Sequence, residues 1–96
     1  MRVLSSLQRA ILEECLEEGR KRLDRHRFWA FYAHHQKPRS PQKAITKSLE
    51  RLIEREFLVG YGIRTPHKWF IQQVRLTPKG RKVARHLQGE QQTLKF

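Results

Sequence analysis

Apolar residues recur at helical spacing along most of this chain and alternate in two short runs near its middle. In SSLQRAILEECLEEG, Leu7, Ile11, Leu12, Cys15 and Leu16 fall on one broad helical face. Ser5 or Ser6 supplies an N-cap for this first helix, and Gly19 supplies a stop. In RKRLDRHRFWAFYAHHQKPRSP, Asp24 is placed to cap a second helix running to about His35. Phe28, Phe31, Tyr32 and His35 form one stripe on it, with Trp29 beside them, and at helical spacing that stripe reads as core. Residues 36–41 contain Pro38 and Pro41 and read as a turn. A third helix follows over about 41–56, in SPQKAITKSLERLIEREF. Ser40 is its N-cap, and Pro41 sits at the first helical position, where a missing N–H costs nothing. Ile45, Leu49, Leu52 and Ile53 line its inner face. Lys43, Lys47, Glu50, Arg51 and Glu54 line the outer one, with Gln42 and Thr46 on the flank.

After Phe57 the period changes. LVGYGIRT and WFIQQVRLT are rich in branched and aromatic residues and read as two strands. Simple alternation predicts Phe70, Val74 and Leu76 on one face and Gln73 and Arg75 on the other. Residues 65–68, TPHK, form the turn between them, flanked by basic groups. Gly60 and Gly62 predict a bulge or a close backbone approach in the first strand. A last helix begins at Thr77-Pro78, buries Val83, Ala84 and Leu87, exposes Arg81, Lys82 and Arg85, and is expected to end at Gly89. Residues 90–96 are expected to be a frayed tail in which Leu94 and Phe96 can dock on a partner chain. The predicted class is mainly α with a minor β part, an α+β domain. A three-helix core carries a two-stranded hairpin and a C-terminal helix, all within one domain over 1–96.

The charge balance is the strongest global feature of the chain. The 96 residues hold 21 Lys and Arg against 9 Asp and Glu, a net charge of +12. Residues 1–36 carry seven basic and five acidic side chains, and residues 37–96 carry fourteen and four, so +10 of the excess lies in the second part. A folded chain this unbalanced repels itself unless a polyanion is present, and nucleic acid is the usual one. Cys15 is the single cysteine, which excludes an internal disulfide or a multi-cysteine zinc site. No apolar run reaches membrane-spanning length and MRVLSSLQRA lacks the apolar core of a signal peptide, so a cytoplasmic protein without membrane partners is expected. The acidic cluster Glu13, Glu14, Glu17 and Glu18 reads as a solvated helix face. His26, His34, His35, His67 and His86 show no ligand spacing, so no metal and no cofactor are expected. With one aspartate, no Gly-rich phosphate loop and no nucleophile–base pair, the chain does not read as an enzyme.

Three stretches resemble the winged helix-turn-helix domain of small regulators of the MarR and PadR kinds. LQRAILEECLEEG is similar to the first helix, ITKSLERLIEREFLVGYG to the recognition helix and first wing strand, and VRLTPKGRKVA to the second strand and following helix. Together they frame most of residues 6–87. Two departures stand out: Phe57 occupies a place where those families often have a turn former, and little chain remains beyond residue 90 for a dimerising region. The resemblance implies sequence-specific binding of double-stranded DNA by a transcriptional regulator, a homodimer using the first and last helices. The front of the helix over about 41–56 would enter the major groove with Gln42, Lys43, Thr46 and Lys47 nearest the bases. Arg39, Ser40 and Arg51 would meet backbone phosphates, while Glu50 and Glu54 keep the rear of the helix away from them. The hairpin tip, with Arg64, His67 and Lys68, would touch the flanking minor groove or its phosphates. Two alternatives stay open. The basic run at residues 20–22 and the aromatic second helix also suit an RNA-binding or ribosome-associated module. A winged helix can also serve as a protein-interaction subunit of a larger assembly.

Overall fold

The computed structural model describes residues 4–93, with side chains through residue 89. Helix α1, Ser6–Glu18, opens with a capping box. Ser5 Oγ accepts from the Gln8 N–H at 3.1 Å, and Gln8 Oε1 accepts from the Ser5 N–H at 3.0 Å. It closes at Gly19, whose φ of 73° a side chain would resist and whose N–H reaches the Leu16 carbonyl. A two-residue strand, β1 (Leu23–Asp24), follows. It was not expected from the sequence.

Asp24 does cap the next element, accepting from the His26 N–H at 3.0 Å, but Arg25–Ala33 forms a 3-10 helix rather than an α-helix. Three residues per turn put Arg25, Phe28 and Phe31 on one line. Arg25 and Phe28 are the members of that line most firmly tied to the rest of the fold. The expected aromatic core stripe is corrected accordingly. Phe28 is buried, Trp29, Phe31 and Tyr32 are half-buried against the core, and His35 is exposed, its ring stacked 3.9 Å from that of Phe31.

Helix α2, Pro41–Glu54, has its N-cap at Ser40 and proline in its first turn, although the Ser40 hydroxyl makes no capping bond. Its end explains how the chain manages without a turn former at Phe57. Glu56 takes the left-handed conformation, φ 66°, so the Glu56 N–H reaches the Ile53 carbonyl and the Phe57 N–H reaches the Leu52 carbonyl, each at 2.9 Å. This is a Schellman closure with glutamate in the place glycine favours, and Phe57 is buried in the core beside Leu52.

Strands β2 (Leu58–Arg64) and β3 (Trp69–Leu76) form an antiparallel hairpin, and β1 adds to the other edge of β3 in the order β1-β3-β2. Pairing runs Leu58 to Leu76 through Tyr61 to Gln73, then shifts so that Gly62 faces Ile71. Gln72 is therefore an extra residue, a bulge in β3 opposite the Tyr61-Gly62 step. The glycines did mark a close approach: a Cβ on Gly62 would strike the Phe70 carbonyl oxygen. The bulge overturns the expected alternation. Beyond it Ile71 turns inward and is buried, while Phe70, expected on the face of Val74 and Leu76, is exposed.

Helix α3, Pro78–Thr93, is joined to the end of α2 by Thr77. The Thr77 Oγ1 accepts from the Gly80 N–H at 2.9 Å and donates to the Glu56 carbonyl at 2.6 Å, and the Thr77 N–H reaches the Phe57 carbonyl. Gly80 must be small because a Cβ there would meet that same Phe57 carbonyl. The helix does not stop at Gly89 as expected. A single exposed glycine weakens a helix by about 1 kcal/mol but leaves its hydrogen-bond ladder intact. The proposed docking of Leu94 and Phe96 lies outside the described residues. The core gathers Ile11, Leu12 and Cys15 of α1, Phe28 of the 3-10 helix, Ile45, Leu49 and Leu52 of α2, Leu58, Ile71 and Val74 of the hairpin, and Ala84 of α3. Its aliphatic side chains each stabilise the fold by roughly 1.5–3 kcal/mol on burial.

Candidate nucleic-acid interface

With Ile45, Leu49 and Leu52 committed to the core, the opposite face of α2 is left to solvent. Gln42, Lys43, Lys47, Glu50, Arg51 and Glu54 are all exposed there. A groove of about 770 Å³ runs between this face, the start of the 3-10 helix and the tip of the hairpin. Gln42, Lys43, Thr46, Lys47 and Glu50 line it from α2, Arg25, His26 and Trp29 from the 3-10 helix, and Lys68, Trp69 and Phe70 from the hairpin. Five residues singled out in the sequence (Gln42, Lys43, Thr46, Lys47 and Lys68) therefore meet in one place.

Arg25 was not among them, and it holds the groove together. Its Nη1 donates to the Ile71 carbonyl at 3.1 Å, and its Nη2 donates to the Gln42 carbonyl at 3.1 Å and to Thr46 Oγ1 at 2.6 Å. One guanidinium thus fixes the 3-10 helix against both α2 and β3, and it takes up a lone pair of the Thr46 hydroxyl. Burial holds its pKa below the ordinary arginine range, with Asp24 pulling the other way. Nothing in the sequence separates Arg25 from the basic residues around it. The aromatic lining of Trp29, Trp69 and Phe70 was also missed, because the stripe was read as core and the bulge was not anticipated.

The remaining singled-out residues lie around this groove. Arg39 and Ser40 are exposed just before α2, and Arg51 is exposed further along its outer face. Arg64 lies with its guanidinium 4.3 Å from the centroid of Trp69, beside a second depression behind the hairpin. His67 is exposed in the turn, which is tied by Thr65: its Oγ1 accepts from the Lys68 N–H at 3.0 Å, and its N–H reaches the Lys68 carbonyl at 2.7 Å. That clasp gives Lys68 a fixed base from which to project.

Of two other candidate chemistries, the acidic cluster changes and the core placement of Cys15 stands. The acidic cluster of α1 is more than a solvated face, since Arg27 Nη2 donates to Glu14 at 2.7 Å and Glu18 at 2.8 Å, docking the 3-10 helix onto α1. Cys15 is buried, and burial, aided by Glu14, pushes its thiol up to about 12, so the reactive thiolate is scarce at neutral pH. Among the described residues no three His, Cys, Asp or Glu side chains gather as a metal-holding group, and no helix is long and apolar enough to cross a membrane.

The fold, helices followed by an antiparallel hairpin, is similar to that of known structures. ZitR from Lactococcus lactis superposes with a TM-score of 0.64 at 27% identity, over 96% of this chain and 62% of that one. It is a winged helix. The adhesin competence repressor AdcR from Streptococcus pyogenes superposes with a TM-score of 0.63 at 20% identity, over 96% of this chain and 61% of that one. Both are winged-helix repressors of the MarR family, in line with the resemblance read from the sequence. The winged helix described here spans about three fifths of the length of these structures. No family model and no curated protein matches the sequence. In winged-helix terms, α2 occupies the position of the recognition helix and β2–β3 is the wing.

Proposed function

We propose that this winged helix binds double-stranded DNA sequence-specifically and acts as a transcriptional regulator. The observation that carries the reading is the convergence of Gln42, Lys43, Thr46, Lys47 and Lys68 on one open groove between α2 and the wing. The front of α2 would enter the major groove. There Gln42 can pair with adenine, and Lys43 and Lys47 with guanine or phosphate. Thr46, its hydroxyl already accepting from Arg25, keeps its methyl for thymine. Arg39, the uncapped Ser40 hydroxyl and the N–H groups of the first turn suit a phosphate, and Arg51 suits the backbone beyond. Arg64, His67 and Lys68 would meet the flanking groove or its phosphates. The likeness to repressors supports regulation. The reading includes a homodimer on a two-fold operator, whose half-sites would then lie about one helical turn apart.

The test is fluorescence anisotropy with duplex DNA and structured RNA across a salt series, comparing the wild type with Lys43→Ala/Lys47→Ala. Duplex binding is expected to weaken steeply with salt, and the double substitution is expected to flatten the slope by roughly two phosphate equivalents. Preference for RNA, or duplex binding indifferent to both lysines, overturns it.

A further inference from the structure

Among the described residues two large apolar side chains stand well out in solvent, Ile63 at 57% exposure and Phe70 at 46%. They are direct cross-strand partners in the wing. A single exposed hydrophobic residue is ordinary. This pair is different, because the Gln72 bulge turns Phe70 out of the core face, and Gly62 opposite is the residue that permits the close strand approach.

Its surroundings are cationic. Lys68 Nζ lies 5.1 Å from the centroid of Phe70, and Arg64 follows Ile63 on β2 with its guanidinium over Trp69. No Asp or Glu occurs from residue 57 to residue 89. A rim of this kind favours a polyanion that also offers flat apolar faces, which describes nucleic-acid bases behind their phosphates. Phe70 also belongs to the lining of the groove that Lys43 and Lys47 line, so the pair stands at the wing-side edge of whatever α2 holds.

We propose that Phe70, backed by Ile63, stacks on an unstacked base step of the DNA that α2 holds, so that the wing opens and bends the duplex at the flank as well as contacting its phosphates. The step is non-covalent. It rests on the duplex-binding reading above and adds to it a deformation that phosphate contacts alone do not produce.

The test uses the full chain and a duplex selected by it from a random pool, carrying 2-aminopurine at successive flanking positions. The fluorescence of this base rises when it leaves the stack. The wild type is expected to raise it at one flanking step, and Phe70→Trp to keep the rise. Phe70→Ala and Phe70→Leu are expected to abolish it, with Phe70→Ala weakening binding about tenfold. Since the ring is half in solvent, thermal melting should find both variants folded, and the two together guard against a local loss of structure. If the wild type binds duplex with no rise at any position, or the rise survives Phe70→Ala, the wedge is refuted and duplex binding stands. If no duplex is bound even at low salt, both readings fall.

Discussion

Helix α2 and the 3-10 helix face each other across one groove, yet they are held by different physics. α2 is fixed by burial: Ile45, Leu49 and Leu52 are all at 0% exposure, with Phe57 closing its end. The 3-10 helix buries only Phe28 fully, rests Trp29, Phe31 and Tyr32 half-buried against the core, and is tied down by arginines. Arg25 ties it to α2 and β3, and Arg27 ties it to Glu14 and Glu18 of α1. The difference has a consequence for the groove. On α2 the side chains that face a ligand carry little of the fold, so they are free to change with the site they read. On the 3-10 helix one side chain, Arg25, both lines the groove and anchors the element.

Three substitutions sharpen that contrast. Leu49→Ala removes a fully buried side chain at the centre of α2 and is expected to cost about 3 kcal/mol in urea unfolding, with all elements melting together. A loss below about 1 kcal/mol would mean that burial does not fix α2. Arg25→Ala should cost less, about 1–2 kcal/mol after allowance for its partial exposure. Its distinguishing effect is local: amide hydrogen exchange should quicken across residues 25–33 while α2 keeps its protection. Equal quickening in both would erase the distinction between the two helices. Glu56→Gly should act in the opposite direction. It relieves a left-handed glutamate at the end of α2, and a gain of about 0.5–1 kcal/mol is expected as a rise in the unfolding midpoint. A decrease would show that the glutamate side chain makes a compensating contact.

How legible each region was in the sequence follows from the same contrast. α2 could be read almost residue by residue because aliphatic burial at 3.6-residue spacing leaves a periodic trace, and the groove residues on it were found by subtraction. The 3-10 helix could not, since an i, i+3 aromatic pattern fits both helix types and its anchors are long-range hydrogen bonds with no period. In the wing, Gly60 and Gly62 signalled an irregularity in β2. The extra residue itself is Gln72 in β3, which the sequence does not mark, so one misplaced unit of parity sent Phe70 to the wrong face. β1 was too short to leave a pattern. Gly89 was given the force of a stop when an exposed glycine only lowers helix preference.

Thr77 has a consequence that concerns change over time. By bonding to the Glu56 carbonyl through its hydroxyl and to the Phe57 carbonyl through its N–H, it fastens the chain where it leaves for the wing to the chain where it returns. Everything between is an excursion whose two ends are already closed. Residues can be added to or removed from the 65–68 turn without altering the distance between α2 and α3. The tip of the wing is thus a cassette, able to be lengthened or shortened while its base, which supplies Leu58, Ile71 and Val74 to the core, and the helical body remain as they were.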